Sequence, residues 1–156
     1  MFYHTFFDFF LASLLLTAIF GVYFSFQKKS FIKNYKQADT KILENINGMI
    51  ITENGPLRKS FQWCSFDIMI NQNSIFLFPK SFYFLPKRAI QLIYSNSDKK
   101  HSKFTTLLRQ LNISKNNVEL ISNPNYLFAG TRKILLKELN NEQILIFEDI
   151  KKSKNY

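Results

Sequence analysis

The chain has a single cysteine, Cys64, so no disulfide framework can hold it, and a reducing compartment is the better fit. Its two histidines, His4 and His101, are far apart and have no Cys or His neighbours, which leaves no readable metal site. Gly and Pro number only four each, and no low-complexity linker is present. Dinucleotide-fold glycines, phosphate loops and HExxH spacings are all missing. The first 27 residues contain no Lys or Arg, so the basic n-region of a cleaved signal peptide is absent. Negative charge is also scarce: 11 Asp and Glu stand against 21 Lys and Arg, for a net charge of +10.

What the sequence has instead is apolar residues, 46% of the total, and aromatic ones, 17%. This is too much for a disordered chain. Phe9 to Phe26 is an uncharged run, "FFLASLLLTAIFGVYFSF", followed after Gln27 by Lys28 and Lys29. At the helical rise it spans about 27 Å, the thickness of a hydrocarbon core. The segment is apolar on all sides and lacks small residues at a cleavage position, so the expectation is a transmembrane helix within residues 1–26. Ser13, Thr17 and Gly21 recur at four-residue spacing and form a small-residue face against which a second helix can pack. Lys28, Lys29, Lys33 and Lys36 follow the run, whereas its N-terminal flank has only His4, Asp8 and the α-amine. By the positive-inside rule the N-terminus lies outside the cell membrane and the rest of this single-pass chain in the cytoplasm.

Residues 27–47 lack Pro, and Phe31, Ile32, Tyr35, Ile42, Leu43 and Ile46 approximate helical spacing. They read as a basic juxtamembrane helix or extended stalk. Beyond Gly48 the period shifts to that of strands. Asn54-Gly55 marks a turn. "FDIMINQNSIFLF" is the clearest hairpin, ended by Pro79, and "SFYFLP", "AIQLIYS", "NVELIS" and "TRKILLKEL" are further strands. Alternation places Asp67 on the wet face and Phe76, Phe78, Phe82 and Phe84 in the core. Phe104, Leu107, Leu108 and Leu111 have helical spacing, with Ser102 as the cap. The segment from Asn140 reads as a helix from its capping Asn, its early Glu142 and its late lysines, though Ile144–Phe147 alone also suits a strand. The fold class is therefore α+β: a membrane helix, then a mainly antiparallel β domain over residues 48–156 with a C-terminal helix.

No residues nominate themselves for catalysis. Glu148-Asp149 is an exposed pair near the chain end, and Cys64 beside Trp63 suits a small buried hydrophobe. His101 lies in a lysine-rich loop with no partner for a triad. No enzyme activity, cofactor or metal is expected. The basic residues suit a membrane surface instead: Lys28, Lys29, Lys33, Lys36, Arg58, Lys59, Lys87, Arg88, Lys99 and Lys100 are the candidate contacts to anionic lipid headgroups, and Lys80 also flanks "SFYFLP". The alternating aromatics speak against a nucleic-acid platform.

The hairpin "INQNSIFLF", the following "RAIQLIYS", two later strands and a final helix resemble the pleckstrin-homology-like superfamily, including its bacterial membrane-tethered members. The resemblance covers residues 48–150. It implies a folded-over antiparallel sheet closed by the last helix, and no catalytic motif. The expected role is that of a non-enzymatic adaptor held at the membrane, contacting anionic lipid or a protein partner, a homo-oligomer included. The alternative is a small structural subunit of a larger membrane complex.

Overall fold

The computed structural model describes residues 2–55, 58–95, 105–124 and 130–154, with side chains from Phe7 onward. Lys99, Lys100, His101, Ser102 and Phe104 lie outside the described residues, as does the side chain of His4.

The chain opens with α1, Phe2–Tyr35, a single helix of 34 residues. Its portion from Phe7 is long and apolar enough to cross a membrane, and its most apolar stretch is not buried against the rest of the protein. No Gly or Pro follows Gly21 in α1, so nothing stops the helix at the lysines. It ends where Asn71 intervenes: the Asn71 amide donates to the Tyr35 carbonyl at 2.7 Å, and its Oδ1 accepts the Thr40 hydroxyl at 2.7 Å. The connection to the next element is therefore short and pinned. The expected stalk is corrected: helix persists only to Tyr35, and from Lys41 the chain is already in the sheet.

Among the described residues eight strands follow: β1 Lys41–Glu53, β2 Lys59–Ile70, β3 Ser74–Ser81, β4 Leu85–Pro86, β5 Ile90–Ile93, β6 Thr105–Ser114, β7 Asn117–Ser122 and β8 Thr131–Lys137. Their order is β2-β1-β8-β7-β6-β5-β3-β4, and β2 also pairs with β3, so seven strands close into a barrel with β4 outside the ring. Every pairing is antiparallel except β5 with β6. The expected hairpin is β2–β3, turning at residues 71–73. Pro79 does not end it. It pairs with Phe66 just past the last β5 contact of β3, and its carbonyl accepts the Lys87 N–H at 2.8 Å.

The expected helix around Leu107–Leu111 is strand β6. A β-bulge between Leu108 and Gln110 gives the strand one extra residue, so Leu108 and Leu111 both point into the core although three positions apart. A second bulge, between Leu43 and Ile46, does the same in β1, with Asn45 at φ 56°.

The barrel interior holds Phe66, Ile68, Leu77, Leu92, Leu120 and Ile134. The last helix, α2 (Asn141–Lys154), adds Phe147 and Ile150 to that core. A reciprocal capping pair starts it: Asn140 Oδ1 accepts the Gln143 N–H at 2.8 Å and Gln143 Oε1 accepts the Asn140 N–H at 2.9 Å. The overall class is α+β, with an apolar N-terminal helix, a small barrel and a C-terminal helix.

Candidate functional site

β2 is buried on both faces from Cys64 to Ile70. Phe66, Ile68 and Ile70 face the barrel interior, while Met69 faces outward with Phe76, Phe78 and Ala89. This outer patch is covered by the end of α1, whose Phe31, Ile32 and Tyr35 pack on it. Ring centroids lie 5.0 Å apart for Tyr35 and Phe76 and 5.7 Å apart for Phe31 and Phe76. Helix and barrel are thus joined by an apolar contact with specific aromatic geometry.

Asp67 lies on this same outward face. The expectation of a wet carboxylate is overturned: Asp67 is buried, because α1 covers the face that alternation assigned to solvent. Two lysines hold it, Lys28 Nζ to Oδ2 at 2.7 Å and Lys80 Nζ to Oδ1 at 2.8 Å. The Asn45 N–H also donates to Oδ1 at 3.0 Å, which the bulge conformation of Asn45 permits. Burial pushes the carboxyl upward, but the hydrogen bonds from Lys28, Lys80 and Asn45 outweigh it and hold Asp67 below the usual aspartate range. Asp67 therefore stays ionised and ties α1, β1, β2 and β3 together at one point.

Around this tie lies a cleft of about 370 Å³ between α1 and the β3–β4 turn. Lys28, Lys29, Lys80 and Lys87 line it with Asp67, which leaves a net charge of +3. Its other walls include Phe24, Ile32, Phe78 and Phe84. The cleft lies where the apolar stretch of α1 gives way to lysines, so one end is cationic and the other apolar. Three of the candidate lipid contacts, Lys28, Lys29 and Lys87, converge here. Lys80, which the sequence placed beside "SFYFLP" without making it a lipid contact, completes the set from β3.

The remaining candidates lie elsewhere. Lys33 and Lys36 are exposed past the cleft, and Arg88 is exposed next to Lys87. Arg58 and Lys59 lie at the β1–β2 turn, where Lys59 pairs with Glu53 at 3.1 Å. The small-residue face of α1 borders the chain's own barrel. Thr17 and Gly21, with Ser25, line a groove of about 320 Å³ against Phe84, Leu85 and Pro86 of the chain's own domain. Ser13 and Thr17 turn their hydroxyls back onto the helix carbonyls of Phe10 and Ser13.

Phe76 and Phe78 are buried as expected, whereas Phe82 and Phe84 are exposed in the β3–β4 turn. The alternation of β3 ends at Ser81, so the pattern that placed them inside no longer applies. On the far side of this turn, Trp63, Phe82 and Tyr83 wall a groove of about 410 Å³ that reaches Cys64. The Cys64 thiol is buried, and burial raises its pKa, with the Lys87 charge opposing in part. A thiol so held remains protonated and is a poor nucleophile. Glu148 is half-buried and Asp149 exposed. Among the described residues, no three His, Cys, Asp or Glu side chains gather as metal ligands.

Fold and site together define a small β-barrel joined to a long apolar N-terminal helix, with a cationic cleft at the junction. No protein-family model and no curated protein matches the chain.

Proposed function

We propose that this chain is a single-pass protein of the cell membrane, with its N-terminus outside and its barrel in the cytoplasm, and that it works by binding rather than catalysis. The cleft between α1 and the barrel takes the headgroup of an anionic lipid. The observation that carries this reading is the meeting of Lys28, Lys29, Lys80 and Lys87 where the apolar stretch ends. At that level a phosphate would meet the lysines while its acyl chains stay beside the helix. Orientation is supported by the lysines that follow the span and the lack of any before it. The pleckstrin-homology-like reading belongs to the same proposal. The barrel and its closing α2 support it, while the parallel β5–β6 pair departs from its all-antiparallel sheet.

The test uses the full chain in bilayers of mixed composition, with spin-labelled phosphatidylglycerol or phosphatidylcholine as the probe. The motionally restricted fraction should favour the anionic lipid severalfold. Each lysine contributes about 1 kcal/mol near the surface, so Lys29→Gln with Lys87→Gln should remove most of that preference. Equal association of both lipids with the unaltered chain sinks the headgroup reading. Digestion of the barrel by protease added to intact cells sinks the orientation.

A further inference from the structure

The β3–β4 turn presents Phe82, Tyr83 and Phe84 in succession, at 80%, 73% and 74% exposure. Three adjacent aromatics this open are unusual on a soluble surface, where large apolar groups occur singly. The backbone holds them there in an uncommon way. Phe82 and Tyr83 have φ of 50° and 67°, the left-handed region that bulky side chains rarely enter. Ladder pairing of Lys80 with Pro86 and of Ser81 with Leu85 closes the turn beneath them.

The position of the turn identifies what it meets. β3 runs antiparallel to the end of α1: Phe76 touches Tyr35, Phe78 lies by Lys28, and Phe84 shares a groove with Gly21, Val22 and Ser25. Gly21 is about 10 Å up the helix axis from Lys28, within the apolar run. Lys29 and Lys87 lie beside the turn on the cleft side. Aromatics next to the last turns of an apolar span, with lysines just behind, match the composition of a bilayer interface.

We propose that the Phe82-Tyr83-Phe84 turn inserts into the bilayer at the acyl–headgroup boundary and gives the barrel a second membrane foothold beside α1. The inference rests on α1 spanning the membrane, but it does not need the headgroup preference. Two attachments fix the barrel against rotation about the helix axis, and they hold the cationic cleft open toward the lipid.

The experiment uses the full chain in phosphatidylcholine vesicles containing brominated lipids, in a Trp63→Phe background that removes the one native tryptophan. Tyr83→Trp reports the turn. Phe20→Trp reports the span, and Gln72→Trp reports the opposite end of the β2–β3 hairpin, where the side chain is exposed. Bromines near the carbonyl end of the chains should quench Y83W roughly threefold more than Q72W, and more than bromines at the bilayer centre do. Aqueous iodide should quench Q72W and spare Y83W. If F20W is quenched by bromolipid while Y83W behaves like Q72W, the insertion is overturned and the span stands. If F20W also escapes, the spanning reading falls and takes this one with it.

Discussion

Asp67→Asn should release α1 from the barrel. The substitution keeps the shape and one acceptor oxygen but removes the charge that faces Lys28 and Lys80. Breaking a fully buried pair costs about 3–5 kcal/mol, because a charge is left without compensation. Here the Lys80 side chain is 17% exposed and that of Lys28 32%, so Lys28 in particular can turn toward water. The expected loss is therefore about 2–3 kcal/mol, below the fully buried figure. Lys28→Gln should cost less, about 1–1.5 kcal/mol, because Asp67 keeps Lys80 and the Asn45 N–H. The assay is urea unfolding of the full chain in nanodiscs, together with hydrogen exchange over residues 28–40. Exchange there should speed up in D67N while the interior strands stay protected. The pH dependence gives a second reading. A carboxyl held below its unfolded value near 3.9 contributes fully above that pH, and the contribution is lost as pH falls through the lower folded value. The unaltered protein should thus lose stability on acidification below about pH 4, and D67N should lack that component. Stability within about 0.5 kcal/mol of the parent at neutral pH, with unchanged exchange, would refute the clamp.

Gly48→Ala should destabilise the barrel by about 1–3 kcal/mol, since a Cβ at this site of β1 would run into the Leu135 carbonyl and the Phe66 ring; thermal melting followed by circular dichroism checks it. Asn140→Ala removes the Oδ1 that accepts the Gln143 N–H, leaving only the backbone half of the capping pair of α2, and should cost about 1 kcal/mol, with faster exchange confined to the first turn of that helix.

How much of this was legible beforehand depended on whether each local pattern had a single cause. The apolar run, the β2–β3 hairpin and the capped C-terminal helix were readable because their signals are local: uncharged length, period-two alternation, and an Asn-led start with a basic end. The spacing of Leu108 and Leu111, like that of Leu43 and Ile46, imitates a helix because a bulge moves one residue out of step. Asn45, the left-handed residue in one of these bulges, carries no signal that separates it from a turn residue. Asp67 was misplaced for another reason. Alternation tells which two faces a strand has, but not whether the second face is covered, and here a helix from the start of the chain covers it. Of the cleft, the sequence yielded Lys28, Lys29 and Lys87 as separate basic residues. Their meeting with Lys80 depends on the antiparallel run of β3 along α1, a long-range packing fact with no local signature.

The absence of a slack joint between helix and barrel bears on reach. A flexible linker would let a tethered domain search a hemisphere of solvent. Here α1 runs straight from the apolar stretch into the barrel contact, and Asn71 pins the few residues that follow. With α1 spanning a bilayer as proposed, such a part behaves as a crank arm: any tilt that bilayer thickness imposes on the helix swings the barrel through the same angle. On that proposal the barrel has almost no range of its own, and a partner would have to come to the membrane to meet it.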